Sequence, residues 1–177
     1  MNIIQLVIFA HILSAIALFV TWALEYKLIL GIQNSLNTEP ENKVSLEMKL
    51  ITRSSMLSMI TALATGMGLM VRFSGPMPWT VMAMVSLLLI IIIGLSFKKM
   101  ARLRMRRLAL VNGTGNNKIH KDSIRYLIPS IRLRIAIGVG IIALMVLKPM
   151  DLYTAVLIVL LFLIIGGLWS LPVLKRS

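Results

Sequence analysis

The 177-residue chain contains no cysteine and only two histidines. The absence of cysteine excludes disulfide bonds, thiolate metal sites, iron–sulfur clusters and thiol catalysis. The sequence also contains no phosphate-binding P-loop, no HExxH zinc motif and no carboxylate pair at a recognisable catalytic spacing. Any catalysis by this chain would therefore need a cofactor.

Acidic residues are scarce as well. The chain has six Asp and Glu residues and 19 Lys and Arg residues, which gives a formal net charge of +13. Eleven of the basic residues fall between Lys98 and Arg134, interleaved with apolar residues. Lys and Arg concentrate in short cytoplasmic loops of membrane proteins, where they attract anionic lipid headgroups. The charge therefore predicts a loop that binds headgroups at the inner membrane surface, and no binding to nucleic acid.

Hydrophobic residues are abundant: they make up 58% of the chain, at a mean hydropathy of +0.91. Soluble domains usually contain about 45–50% apolar residues. A helix of about 20 apolar residues crosses the hydrocarbon core of a bilayer. We therefore expect a single all-α transmembrane domain over residues 1–177, a polytopic bundle of about five membrane-spanning helices. The predicted spans are 3–30, 54–71, 79–97, 130–147 and 152–171.

The basic loop, 98–129, orients the predicted bundle. If this loop lies inside, alternation puts the N-terminus outside and the C-terminus inside, with Tyr26 and Trp169 near the inner interface. The predicted outer connections, 72–78 and 147–151, are short and carry one basic residue each. The N-terminus has no basic n-region, and its apolar stretch is longer than that of a signal peptide, so we expect the first span to be retained.

Two ionisable residues, His11 and Glu25, interrupt the first apolar span. Because ionisable groups inside a membrane are costly, they normally face the interior of the bundle. At about 100° per residue, Ser14 and Thr21 fall on the same side of the helix. We expect Glu25 to form an ion pair near the inner surface, with Lys27 or an arginine of the inner loop. His11 lies about 12 Å from the outer end of the span, beyond the reach of headgroups.

Mostly small residues lie at the same predicted depth as His11 on two other spans. They are Thr65, Gly66 and Met67 of the second span, and Gly138 and Gly140 of the fourth. Glycines allow helices to approach closely, and in that case His11 would be hydrogen-bonded to a hydroxyl such as that of Thr65. The alternative is that the glycines leave a slot for a flat ligand beside the imidazole.

The second span carries a stripe of small polar residues at helical spacing, whereas the third is apolar all round. The stripe contains Ser54, Ser58, Thr61, Thr65, Gly68 and Arg72. We interpret it as a helix–helix seam whose hydroxyls bond to the backbone or to neighbours, with a water-lined path as the alternative. We expect the third span to face lipid.

Methionines accumulate in the predicted outer half of the bundle, where His11 also lies. Thioether and imidazole groups suit Cu(I), or the axial positions of a haem iron. A copper site would use His11, Met67 and Met70. A haem b would be bound by His11 alone or together with Met67, Met145 or Lys148. Simple packing is the alternative, because methionine is an ordinary apolar filler and a lysine at an interface extends its amine to water.

Two segments carry a family resemblance: HILSAIALF followed by ALE in the first span, and IRLRIAIGVGIIALMVLKP in the fourth. They resemble a group of small uncharacterised bacterial integral membrane proteins and, more distantly, the copper-resistance protein D family, the DUF2269 family and the membrane-bound protoporphyrinogen oxidase HemJ. The resemblance implies a multi-pass protein of the bacterial cytoplasmic membrane. In the oxidase family a first-helix histidine is implicated in haem binding, and a basic residue begins a late helix that ends in a Lys-Pro pair. The residues at those positions are His11, Arg132 or Arg134, and Lys148 with Pro149.

Three functions are consistent with these features. We favour a non-enzymatic membrane component that binds lipid or a protein partner. The alternatives are a redox protein with haem b bound by His11, and a copper-handling protein that uses His11 and the outer methionines. In the favoured interpretation a set of polar and small residues makes contacts between helices. This set is Ser14, Glu25, Ser58, Thr65, Arg132, Arg134, Gly138 and Gly140.

Overall fold

The computed structural model describes residues 2–34, 41–73, 77–112 and 127–175, and these residues form five α-helices and no β-strand. The helices are α1 (Ile3–Asn34), α2 (Glu41–Phe73), α3 (Pro78–Asn112), α4 (Leu127–Leu147) and α5 (Leu152–Lys175). Each contains a segment that is long and apolar enough to cross a membrane. The predicted all-α multi-pass membrane bundle is confirmed, and the direction in which it crosses the membrane stays a prediction.

The second and third helices are longer than their predicted spans. α2 begins at Glu41 rather than near residue 54, because the charged residues that interrupt its apolar run are compatible with a helical backbone. α3 continues past its membrane segment, Pro78–Met100, to Asn112. Six basic residues lie from Lys98 to Arg107. The beginning of the predicted basic loop is therefore helical, and residues 113–126 of that loop lie outside the described residues.

α4 is the central helix of the bundle. Half of its membrane segment is buried, compared with between 11% and 22% of the other four segments. α3 and α5 pack along it, α1 contacts it over a shorter stretch, and α2 packs mainly against α1. α1 and α4 are antiparallel, since their contacts run from Phe19 beside Gly138 to Glu25 beside Arg134.

Two glycines allow α4 to lie very close to its neighbours. A Cβ added to Gly138 would lie 2.8 Å from the ring of Trp22 and 2.9 Å from that of Phe19. A Cβ added to Gly166 of α5 would lie 2.8 Å from the Cβ of Ala136. Atoms do not pack at such distances, so a larger residue at either position would push the helices apart.

The expectation that the third span faces lipid is only partly right, because the exposed residues of α3, such as Val85, Leu88 and Ile92, lie on one side of the helix. The other side of α3 is buried in the core that it shares with α4 and α5, and the buried residues include Thr80, Ala83, Ser86 and Ile90. The hydroxyls of Thr80 and Ser86 each donate to a carbonyl of the preceding turn, at 2.7 Å. The signal that could have revealed this side is the helical spacing of its small and polar residues, Thr80, Ala83 and Ser86, within an otherwise apolar run.

The turn between α4 and α5 has a defined structure at both ends. Lys148 ends α4 in the left-handed region, at φ 44°, and its N–H donates to the carbonyl of Leu144 at 2.9 Å. At the other end Asp151 caps α5, where its Oδ2 accepts the N–H of Thr154 at 2.6 Å. Hydrogen bonds from the hydroxyl and the backbone N–H of Thr154 hold the pKa of Asp151 below its ordinary value.

Candidate functional site

The polar side of α1 faces the interior of the bundle, as expected. Ser14, Thr21 and Glu25 are buried, and His11 is partly buried. The hydroxyls of Ser14 and Thr21 donate to carbonyls three residues earlier in α1 itself, both at 2.8 Å. Among the described residues, the polar links from α1 to other helices come from His11, Glu25 and Tyr26.

A buried salt bridge joins α1 to α4. Nη2 of Arg134 donates to Oε2 of Glu25 at 3.0 Å, and the two side chains are only 8% and 3% exposed. Nε of Arg134 also donates to the carbonyl of Ser130 at 3.4 Å. Glu25 thus forms an ion pair, but the expected partner was wrong. The close approach of α1 and α4 brings it to a helix arginine rather than to Lys27 or the inner loop.

Because this ion pair is buried, the loss of either partner would destabilise the fold. Each ion loses several kcal/mol of hydration in apolar surroundings, and only the charge and hydrogen bonds of its partner offset that loss. A shift of one helix turn along either axis would separate the two groups by about 5 Å. The Glu25–Arg134 pair therefore holds α1 and α4 in one register.

His11 joins α1 to α2 through a hydrogen bond. Its Nδ1 lies 2.9 Å from Oγ1 of Thr65, the contact that the packing interpretation predicted. The hydroxyl of Thr65 donates its own proton to the carbonyl of Thr61 at 2.6 Å, so its oxygen accepts from the imidazole. Neutral His11 therefore carries its proton on Nδ1, and Nε2 has an unprotonated lone pair.

Gly66 faces the imidazole, whereas Gly138 and Gly140 do not. A Cβ added to Gly66 would lie 3.2 Å from Cε1 of His11, but one at either α4 glycine would meet aromatic rings of α1 or α5. The predicted slot of α4 glycines beside His11 is therefore wrong. The predicted depths were counted from the helix ends, but the outer ends of α1 and α4 do not lie at the same level. Trp22 of α1 lies beside Gly138 of α4, and the two helices are antiparallel. His11 is 11 residues before Trp22, so its level corresponds to a position 11 residues after Gly138, which is beyond the end of α4 at Leu147.

The other residues considered for a haem or copper site are not hydrogen-bonded to His11 in the described part of the chain. Met67 and Met145 are 50% and 37% exposed. Lys148 is exposed in the turn after α4, and Met70 is partly buried. No group of three or more His, Asp or Glu side chains that could hold a metal occurs among the described residues. The roles of these residues as ligands stay predictions.

The polar stripe of α2 is only partly a helix–helix seam. Thr65 contacts His11, and Ser58 is partly buried. Thr61 donates its hydroxyl to a carbonyl one turn earlier in α2, at 2.9 Å. The exposed members are Ser54, Gly68 and Arg72. Regular spacing therefore predicted the seam near its middle and not at its two ends.

A second arginine of α4, Arg132, lies between α1 and α5. Its Nη1 donates to the carbonyl of Trp169 at 2.7 Å, and its Nη2 donates to the hydroxyl of Tyr26 at 3.2 Å. Its guanidinium carbon lies 5.3 Å from the centre of the Trp169 ring and 6.0 Å from that of the Tyr26 ring, within the range of cation–π attraction. Its Nε is buried and has no hydrogen-bond partner among the described residues.

Sequence reasoning placed Arg132 among the residues that make contacts between helices, and it does make them, but its partners, Tyr26 and Trp169, were not predicted. The signal that could have found them is the expected position of Tyr26 and Trp169 at the inner interface, at the same level as the start of the fourth span. Spacing along one helix does not show which residues of three different helices meet.

Comparisons with known proteins found no match: no protein-family model, no curated protein and no solved structure matches this chain. The geometry of the polar groups is therefore the basis for a functional conclusion.

Proposed function

We propose that the chain is a non-enzymatic, multi-pass component of the bacterial cytoplasmic membrane that acts by binding lipid or another membrane protein. The observation that supports this proposal is the hydrogen bonding of Glu25 and His11, two ionisable groups of α1. Glu25 is bonded to Arg134, and His11 is bonded to Thr65, so each links two helices. These groups stabilise the bundle, and its outer surface is left to interact with other molecules.

The buried carboxylate is poorly placed for proton transfer. A general acid or base must come within hydrogen-bond reach of its substrate. The side chain of Glu25 is 3% exposed and lies against Arg134 between α1 and α4. A substrate in lipid or water does not reach its oxygens without separation of these helices.

The proposed orientation has the N-terminus outside and the C-terminus inside. It is supported by the six basic residues from Lys98 to Arg107, which lie where α3 leaves its membrane segment. Green fluorescent protein fused to the C-terminus should fluoresce, and alkaline phosphatase fused there should be inactive. The opposite pair of results would reverse the orientation.

An absorption spectrum tests the non-enzymatic proposal. The protein would be purified in detergent from haem-replete cells and compared before and after reduction with dithionite. We expect no Soret shift and no α-band. A haem spectrum that is lost in His11→Ala and kept in Ser14→Ala, a change one turn further along the same side of α1, would overturn the proposal.

A cofactor protein is the second candidate, and one observation favours it. Nδ1–H of His11 donates to Thr65, and metal-binding histidines commonly use one ring N–H in this way while the other nitrogen binds the metal. A haem b would be bound by His11 alone, or with Met67, Met145 or Lys148. The spectrum described above distinguishes this candidate from the first.

The copper version of the second candidate has its own test. The protein would be loaded with Cu(I), and its bound copper would be compared between wild type, Met67→Leu/Met70→Leu and His11→Ala. Less copper in both variants would support a site of His11, Met67 and Met70. The same stoichiometry in all three proteins would remove copper from the candidates.

A further inference from the structure

The guanidinium of Arg132 has no counter-ion among the described residues. A guanidinium has five N–H donors, and the described hydrogen bonds of Arg132 go to the Trp169 carbonyl and the Tyr26 hydroxyl. Both acceptors are neutral, so they leave its positive charge uncompensated. Arg134, by contrast, is bonded to the carboxylate of Glu25. The Arg132 cluster is therefore complementary to an anion from outside the chain.

The position of Arg132 indicates where this anion would come from. Arg132 lies five residues after Leu127, about 8 Å from the start of α4. Trp169 is 45% exposed, and Trp and Tyr are enriched at the depth of lipid headgroups. Val139, two turns further along the same side of α4, is 41% exposed. The surface therefore has a cation near headgroup depth and apolar residues near acyl-chain depth.

We propose that Arg132, Tyr26 and Trp169 form a binding site for the phosphate of an anionic phospholipid. Guanidinium groups bind phosphate oxygens through pairs of N–H bonds. Nη1 and Nη2 of Arg132 each have a second N–H for this purpose, whereas its Nε is buried. The hydroxyl of Tyr26 accepts from Arg132 and donates its own proton to a phosphate oxygen. This inference rests on the proposed function, because it identifies the partner as lipid.

The charge around the cluster favours an anionic headgroup over a zwitterionic one. Lys27, beside Tyr26 in sequence, is exposed and adds positive charge. No described carboxylate forms an ion pair with Arg132. Phosphatidylglycerol has the required phosphate and no ammonium group.

Native mass spectrometry of the full chain in detergent tests the site, with phosphatidylglycerol, phosphatidylcholine and inorganic phosphate as probes. Wild type should bind phosphatidylglycerol more tightly than phosphatidylcholine, and the basic residues from Lys98 to Arg107 contribute to this preference. Arg132→Gln should reduce the preference about fivefold, the effect of one favourable interfacial charge. Arg53→Gln, which removes an exposed arginine of α2, is the matched control and should retain the preference.

Two results of this experiment would overturn the proposal. The first is the same phosphatidylglycerol preference in Arg132→Gln as in wild type. The second is tight binding of inorganic phosphate that displaces phosphatidylglycerol, because the site would then be one for free phosphate.

Fluorescence quenching provides a test that does not depend on the folding of Arg132→Gln. Phosphatidylglycerol with brominated acyl chains should quench the tryptophan fluorescence of wild type more than brominated phosphatidylcholine does. The difference should disappear in Trp169→Phe, because Trp22 is buried and Trp79 lies at the start of α3, at the opposite end of the bundle. An unchanged difference in Trp169→Phe would overturn the site.

The two proposals fail in different experiments. The same phosphatidylglycerol preference in Arg132→Gln as in wild type, together with a flat absorption spectrum, would overturn this site and leave the non-enzymatic function in place. A His11-dependent haem spectrum would overturn that function whatever lipid is bound at Arg132.

Discussion

Arg132 and Arg134 belong to the same turn of α4, but their surroundings differ completely. They point about 200° apart around the helix. Arg134 is buried and bonded to Glu25, whereas Arg132 is partly exposed and lies between the rings of Tyr26 and Trp169. The comparison shows that a carboxylate is present where an arginine is buried, and that aromatic rings and neutral acceptors surround the arginine that reaches the surface.

The largest predicted effect comes from removing the carboxylate. Glu25→Leu leaves Arg134 buried without a counter-ion and should lower the free energy of unfolding by about 3–5 kcal/mol. The measurement is unfolding of the purified protein in mixed detergent micelles. Lys27→Gln, at an exposed position two residues away, should change stability by less than about 0.5 kcal/mol. A similar small effect of both variants would mean that the pair does not stabilise the bundle.

The second prediction concerns the close packing of α1 against α4 at Gly138. Gly138→Ala should destabilise the protein by about 1–3 kcal/mol, because the new Cβ would lie 2.8 Å from Trp22. Gly167→Ala is the matched control, since a Cβ there would meet nothing within 4 Å. It should be neutral or stabilising by up to about 1 kcal/mol, the difference in helix propensity. Equal effects of the two substitutions would contradict the packing described here.

A smaller loss of stability is expected from substitution of the partly exposed arginine, Arg132. Arg132→Gln should cost about 1 kcal/mol or less, the value of an exposed cation–π contact. Arg134→Gln, measured in the same unfolding experiment, should cost about 3–5 kcal/mol because it leaves Glu25 unpaired. Equal losses would show that the two arginines do not differ in the way their burial indicates.

The smallest effect should come from the cap of α5, which lies outside the membrane segments. The pKa of Asp151 is lower in the folded protein than its ordinary value, so its stabilising contribution is present above that ordinary pKa. This contribution is lost as the pH falls through the folded pKa. Between about pH 6 and about pH 3, thermal unfolding of wild type should show more loss of stability than that of Asp151→Asn. Identical pH profiles would exclude a contribution from the Asp151 carboxylate.

Much of the fold could be predicted because it follows from the cost of polar groups in a membrane. The five helices follow from the apolar runs, and the inward side of α1 follows from the need to shield His11 and Glu25. The hydrogen bond from His11 to Thr65 was predicted because both residues lie about eight positions from the same end of the bundle.

The remaining features depend on how helices lie beside one another, which one sequence does not contain. The partner of Glu25 is 109 residues away, and it became apparent only when the approach of α1 to α4 was known. Gly138 and Gly140 were assigned to the wrong depth, because α1 and α4 differ in length and their ends are not flush. The buried side of α3 is marked only by Thr80, Ala83 and Ser86, a short pattern of small and polar residues in a long apolar run.

The most direct test of the account is a double-mutant cycle on Glu25 and Arg134, measured by unfolding in mixed detergent micelles. Each single variant, Glu25→Leu and Arg134→Met, leaves one buried charge and should be strongly destabilised. The double variant removes both charges and should recover most of that loss, because apolar residues of similar volume replace a buried ion pair at little cost. A double variant whose loss equals the sum of the two single losses would contradict the claim that these charges stabilise the bundle by pairing with each other.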